Sequence, residues 1–190
     1  MTVQHNAITD PDIHEPKGIA AATTGKVYVS NGASSGEWKY APGKAHAELV
    51  ISGGTTDHTL NATAGTYSTV NTLWTASGNE DHLTVDTTNG DIDLLFAGHY
   101  LVSVFMTFTT SAIAAGTEYS FDLGIDGTET GRPVTVTKHT NAAEKVHVSF
   151  TTIVDATANQ VLTLEATGDA TSAGEIITPV EAGITALFLD

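Results

Sequence analysis

The 190-residue chain has no cysteine, which excludes a disulfide framework, a thiolate metal site and a thiol nucleophile. Basic residues are scarce: seven Lys and Arg stand against 22 Asp and Glu, a formal net charge of −15. The shortage is uneven. Residues 1–44 balance Lys17, Lys26, Lys39 and Lys44 against Asp10, Asp12, Glu15 and Glu37, whereas beyond them only Arg132, Lys138 and Lys145 face the remaining eighteen acids. A lobe of that sign repels a phosphate backbone, so nucleic acid is excluded as a partner, and solubility is the plain reading of the acidity. No apolar run approaches the roughly 20 residues that span a bilayer, so no membrane contact is expected. The opening MTVQHNAITD lacks the basic-then-apolar order of a secretion signal, and the mature chain is expected to begin at or near Met1. A sustained 3.6-residue apolar period is also missing, which removes long helices.

What remains is strand. Hydrophobic residues make up 41% of the chain, enough for a core, and after Ala45 runs rich in Thr and Val recur at short spacing between Gly, Asn and Asp. The expected strands are Ala45–Ile51, Val70–Ala76, His82–Asp86, Asp91–Phe96, His99–Thr109, Glu118–Ile125, Pro133–Lys138, Lys145–Val154, Gln160–Thr167 and Gly183–Leu189. That number suits a two-sheet sandwich.

Alternation assigns these strands to sheets. In Glu118–Ile125, Tyr119, Phe121, Leu123 and Ile125 fall on one face and Glu118, Ser120, Asp122 and Gly124 on the other, as in a sheet with one wet side. His99–Phe108 differs: Tyr100, Val102, Val104, Met106 and Phe108 form one face, yet Leu101 and Phe105 make the other partly apolar. Gly183–Leu189 repeats this, with Ile184, Ala186 and Phe188 opposite Leu187 and Leu189. Strands of this kind need cover on both sides. That cover must come from a neighbouring copy of the chain or from the terminal arm, and Leu101, Phe105, Leu187 and Leu189 are expected at an interface between copies.

Up to residue 44 the texture changes. Pro11, Pro16, Gly18, Gly25, Gly32, Gly36, Pro42 and Gly43 leave no room for a long element, and the segment reads as an extended arm. Its one ordered piece is expected in KVYVSNGASSGEWKY, as a small hairpin of Val27–Val29 with Glu37–Tyr40. Ile13, Tyr28 and Trp38 supply more apolar and aromatic surface than a spacer needs, and Pro11 and Pro16 stiffen the backbone and so reduce the entropy lost on docking.

Two resemblances are carried by these residues. The succession HLTVDTTNGDIDLLFAGHYLVSVFMTF, YSFDLGIDGTE, KVHVSFTTIVDATANQVLTLEATGD and AGITALFLD, spanning Ala45 to Asp190, resembles the globular heads of the complement first component and the tumour necrosis factor superfamily. It implies a ten-stranded jelly roll that assembles as a homotrimer around its inner sheets. The stretch HNAITDPDIHEPKGIAAATTGKVYVSNGASSGEW is similar to N-terminal segments of tailed-bacteriophage structural proteins, which fix fibres or decoration proteins to the virion. The matching positions are Asp10, Pro11, His14, Glu15, Pro16, Lys17 and Gly18, then Val27, Tyr28, Val29, Gly32, Gly36 and Trp38. By this resemblance Asp10, Pro11, Ile13, His14, Glu15, Pro16, Lys17, Tyr28 and Trp38 are the capsid-anchoring residues.

Chemical motifs give little. Gly32-Ala33-Ser34-Ser35-Gly36 matches G-x-S-x-G, but a nucleophile elbow requires a helix after the serine, and EWKYAPG follows. The eight histidines are scattered, without a third ligand at a telling spacing. The oxygens of Asp86, Asn89, Asp91 and Asp93 suggest Ca²⁺, yet an Asn89-Gly90 hairpin turn accounts for the same residues. Asn61-Ala62-Thr63 matches a glycosylation acceptor that needs export to be used. Neither a catalytic site nor a metal or cofactor is expected.

The sequence therefore reads as an all-β virion protein with an anchoring arm over residues 1–44 and a jelly roll over 45–190. It would be made in the host cytoplasm and attached to the phage head, through the major capsid protein or another virion protein, as a trimeric decoration or cement. The alternative is a host-binding knob of a tail fibre or head spike, contacting its receptor through Ser77–Asp81 or Ser111–Thr117. The short arm favours decoration, because a fibre reaching for a host needs a shaft.

Overall fold

The computed structural model describes residues 26–30, 36–41, 44–110, 117–137, 144–169 and 175–189. Among them there is no helix. In chain order the strands are β1 (Lys26–Ser30), β2 (Gly36–Tyr40), β3 (His46–Ser52), β4 (His58–Thr59), β5 (Ser68–Thr69), β6 (Thr75–Ala76), β7 (Thr84–Asp86), β8 (Asp91–Leu94), β9 (Gly98–Thr110) and β10 (Glu118–Ile125). They continue with β11 (Thr128–Glu129), β12 (Val134–Thr137), β13 (Val146–Ala156), β14 (Gln160–Gly168) and β15 (Ile176–Phe188).

Strands β1 and β2 pair only with each other, from Lys26 opposite Tyr40 to Ser30 opposite Gly36. The others form two antiparallel sheets. One has six strands in the order β13-β9-β15-β3-β6, with β4 also on β15; the other has seven, β11-β10-β14-β8-β7, with β12 on β10 and β5 on β14. The lobe thus has thirteen strand segments among the described residues where ten were expected, and four of them are two-residue pieces.

The core between the sheets follows from alternation. Tyr100, Val102, Met106 and Phe108 of β9 and Ile184 and Ala186 of β15 are sealed, as are Tyr119, Phe121 and Leu123 of β10 and Leu162 and Leu164 of β14. The Phe108 ring lies 5.5 Å from that of Tyr119 and 5.3 Å from that of Phe121, which joins the sheets through an aromatic cluster. The Tyr100 hydroxyl donates to the Phe96 carbonyl (2.8 Å) and accepts from the Phe96 amide (3.1 Å), pinning the corner at Gly98, whose φ of 141° suits glycine.

Three sequence expectations are corrected. Val70–Ala76 is not a strand: only Thr75–Ala76 pairs, and the turn before it carries Leu73 at φ 64° so that Trp74 can bury and donate to the Val70 carbonyl. The last strand begins at Ile176 and not at Gly183, because a bulge between Pro179 and Glu181 carries pairing with β9 past a residue that lacks an amide donor. The face of β10 expected to be wet is largely covered. Asp122 is 1% exposed and Gly124 is buried, since the segments holding Thr69 and Thr130 fold over them.

Candidate functional site

The outer face of the six-stranded sheet is built by register. Ile153 of β13, Leu101 of β9, Leu187 of β15 and His46 of β3 stand side by side in one cross-strand row. Four residues along β9, Ser149, Phe105, Gly183 and Val50 form a second row, in which the glycine leaves room for the Phe105 ring. Between them Thr151, Ser103, Thr185 and Glu48 form a polar row, with Ser103 and Thr151 hydroxyls 3.0 Å apart and Thr185 donating to Glu48 at 3.5 Å.

Phe105 and Ile153 are each 49% exposed, while Leu101, Leu187 and Leu189 are half-buried. The four residues expected at an interface thus lie on one surface, joined by Ile153, which the sequence reading missed. Its signal was available: within β13 it alternates with the buried Val154 and faces the same side as Thr151 and Ser149. The face is not uniformly apolar, because the hydroxyl row divides it. Covering the exposed half of Phe105 or Ile153 would contribute about 1 kcal/mol each.

Strand β13 is an eleven-residue edge strand. It is partly closed by Arg132, whose Nη1 donates to Thr152 Oγ1 and to the Ile153 carbonyl, both at 3.2 Å. Arg132 is itself set by Asp122: the carboxylate accepts from the amides of Gly131 (2.9 Å) and Arg132 (3.1 Å) and from the Thr130 hydroxyl (2.5 Å).

Of the anchoring residues, Asp10, Pro11, Ile13, His14, Glu15, Pro16 and Lys17 lie outside the described residues. Tyr28 and Trp38 are half-buried cross-strand partners in the hairpin, with ring centroids 5.4 Å apart at 67°. Val27 and Val29, on the opposite face, are exposed. The Gly32–Gly36 motif falls between two strands of one hairpin, so a strand stands where a nucleophile elbow places a helix.

The acidic hairpin between β7 and β8 uses its oxygens internally. Asp86 accepts from the Thr88 and Asn89 amides and from Asn89 Nδ2, and Asp93 accepts from Thr84 Oγ1 at 2.7 Å. Those backbone hydrogen bonds hold the Asp86 pKa below the ordinary value, whereas burial and then the neighbouring Asp86 and Asp93 raise that of Asp91. Among the described residues no group of three or more His, Asp or Glu is arranged to hold a metal ion.

No protein-family model matches the chain, and no curated protein is similar to it in sequence. Solved structures do match. Eiger TNF from S. frugiperda superposes with a TM-score of 0.51 at 12% identity, covering 77% of this chain and 94% of that one. The globular domain of the zebrafish complement 1qA protein gives 0.42 at 10% identity, covering 77% and 98%. The first likeness establishes a jelly-roll fold of the tumour necrosis factor kind, and the fold alone. Neither structure is a virion protein.

Proposed function

We propose that the chain is a self-associating structural protein of a virion, a decoration or cement protein of a phage head. Three lobes cover one another's six-stranded sheets, and the segment before the lobe holds the trimer to the capsid. The observation that carries this reading is the apolar surface of Phe105, Ile153, Leu101 and Leu187 on one sheet face of an otherwise acidic lobe. A surface of that kind on a soluble module suits a like surface better than solvent. The arm's similarity to phage N-terminal segments supplies the attachment, and three arms on one assembly multiply a modest contact through effective concentration.

Sedimentation equilibrium tests the first part: a trimer mass is expected, and a monomer at micromolar concentration would overturn it. Gold-labelled antibody against the lobe, viewed on particles by electron microscopy, tests the second. Dense label over heads is expected. Label confined to tail tips or a single vertex would replace decoration with host binding, and unlabelled particles would remove the virion role.

A further inference from the structure

A cleft of about 270 Å³ separates the β1–β2 hairpin from the lobe. Trp38, Lys26 and Lys39 line it from the hairpin, and Leu95, Phe96 and Phe188 from the lobe. The aromatic wall is firmly seated, since Phe96 and Phe188 lie 5.6 Å apart and Phe188 continues into the core at 5.1 Å from Tyr100. The polar groups these six side chains bring are all donors: two ammonium groups and one indole N–H. Trp38 Nε1 is enclosed with no hydrogen-bond partner, a group that is costly to leave unmatched.

Charge singles out the same place. The described cations are Lys26, Lys39, Lys44, Arg132 and Lys145, and two of these five line this one cleft on a chain of net charge −15. Lys39 pairs with Glu37 at 3.0 Å, but both side chains are more than half exposed, so a surface pair of this kind is readily exchanged for another carboxylate. The volume lies at the lower end for ligand pockets and suits one ring or one branched chain, not a cofactor.

We propose that this cleft binds an apolar carboxylate, with an aryl or branched aliphatic group against Trp38, Phe96 and Phe188 and the carboxylate toward Lys26 and Lys39. The acid sets a negative charge beside two ammonium groups, and at Lys39 it exchanges with the exposed Glu37 carboxylate. The same chemistry is offered by a free small acid and by an aliphatic residue beside an aspartate in a polypeptide.

The test follows the two indole N–H resonances of the ¹⁵N-labelled full-length chain. Trp74, whose Nε1 donates to the Val70 carbonyl inside the lobe, serves as the internal reference. Phenylacetate is expected to shift the Trp38 resonance saturably while benzylamine, of opposite charge, does not. Lys26→Gln with Lys39→Gln should weaken the effect about fivefold or more, with the Trp74 resonance unmoved as the sign of an intact lobe. The blocked dipeptide Ac-Ile-Asp-NH₂ separates the sources: tighter binding than phenylacetate assigns the site to a polypeptide, weaker binding to a small acid. A Trp38 resonance indifferent to both acids, or equally responsive to benzylamine, would overturn the proposal. Oligomer mass and particle labelling do not enter this experiment, so its failure is distinct from failure of the virion reading.

Discussion

The ring of Phe105 lies over the backbone of Gly183, its cross-strand partner, so closely that a Cβ on the glycine would collide with the ring's Cε1 and come within 2.9 Å of its Cζ. A large apolar side chain is thereby laid against the sheet while 49% of it stays open. Gly183→Ala must lift the ring and spoil the shape of the face without touching the core beneath. Sedimentation equilibrium should register self-association weakened about tenfold or more. Chemical denaturation of the dissociated lobe should move by no more than about 1 kcal/mol. Phe105→Asp should give a folded monomer, and a variant that still associates at wild-type strength would remove this face from the interface.

Asp122 is the buried hub of the opposite sheet. Its carboxylate accepts from the amides of Leu123, Gly131 and Arg132 and from the Thr130 hydroxyl. Asp122→Ala leaves these donors without an acceptor in a site that excludes water, at a cost of about 3 kcal/mol or more by urea unfolding. Asp122→Asn keeps one oxygen and should cost about half as much. Because the same carboxylate holds the Arg132 backbone, hydrogen exchange in β13 near Thr152 and Ile153 should rise in both variants before the rest of the sheet responds.

That hub also marks where the sequence stopped being legible. Alternation in β10 correctly separated Tyr119, Phe121 and Leu123 from Asp122 and Gly124, since the period of two is a local property of the strand. It could not tell that the second face would be covered, because the cover comes from Thr69 and from Thr130 to Arg132, whose folding-over is a tertiary fact. For the same reason the two apolar faces of β9 were readable, and Leu101, Phe105, Leu187 and Leu189 fell on one surface, while the start of β15 was hidden by Pro179. The Asn89-Gly90 turn was legible from composition. Gly90 stands at φ 72° against the Trp74 ring, where any side chain would collide.

His58 makes stability depend on pH in a defined direction. It is 6% exposed, sits 3.3 Å from Ser68 Oγ and pairs through β4 with Ile177, and burial lowers its pKa below 6.5. The folded lobe therefore binds the proton less readily than the unfolded chain. Nothing is lost above 6.5, where both forms are neutral, and stability falls as pH drops below 6.5 toward the folded-state value. Urea midpoints measured between neutrality and mildly acidic pH should decline for the wild type and flatten for His58→Gln. Asp86, whose pKa is lowered by backbone hydrogen bonds, contributes in a separate window, with stability present above 3.8 and lost as pH falls below it. An unchanged slope in His58→Gln would assign the acid sensitivity elsewhere.

Removal of residues 1–44 separates the arm from the lobe. Both sheets, the aromatic cluster around Phe108 and the Phe105 face are built from residue 45 onward, and the hairpin pairs with no strand of either sheet. The truncated lobe should fold and self-associate as the full chain does, and among the described residues it loses the hairpin wall of the cleft opposite Phe96 and Phe188. Because the partly exposed ring of Phe96 would gain solvent, a small loss of stability is expected, about 1 kcal/mol. Attachment to particles should disappear. A truncated lobe that no longer associates would transfer the interface to the arm, and one that still labels particles would transfer the attachment to the lobe. Within the full chain Trp38→Ala should then reduce attachment more than Lys17→Gln if apolar burial does the anchoring, and the opposite order would make the anchor electrostatic.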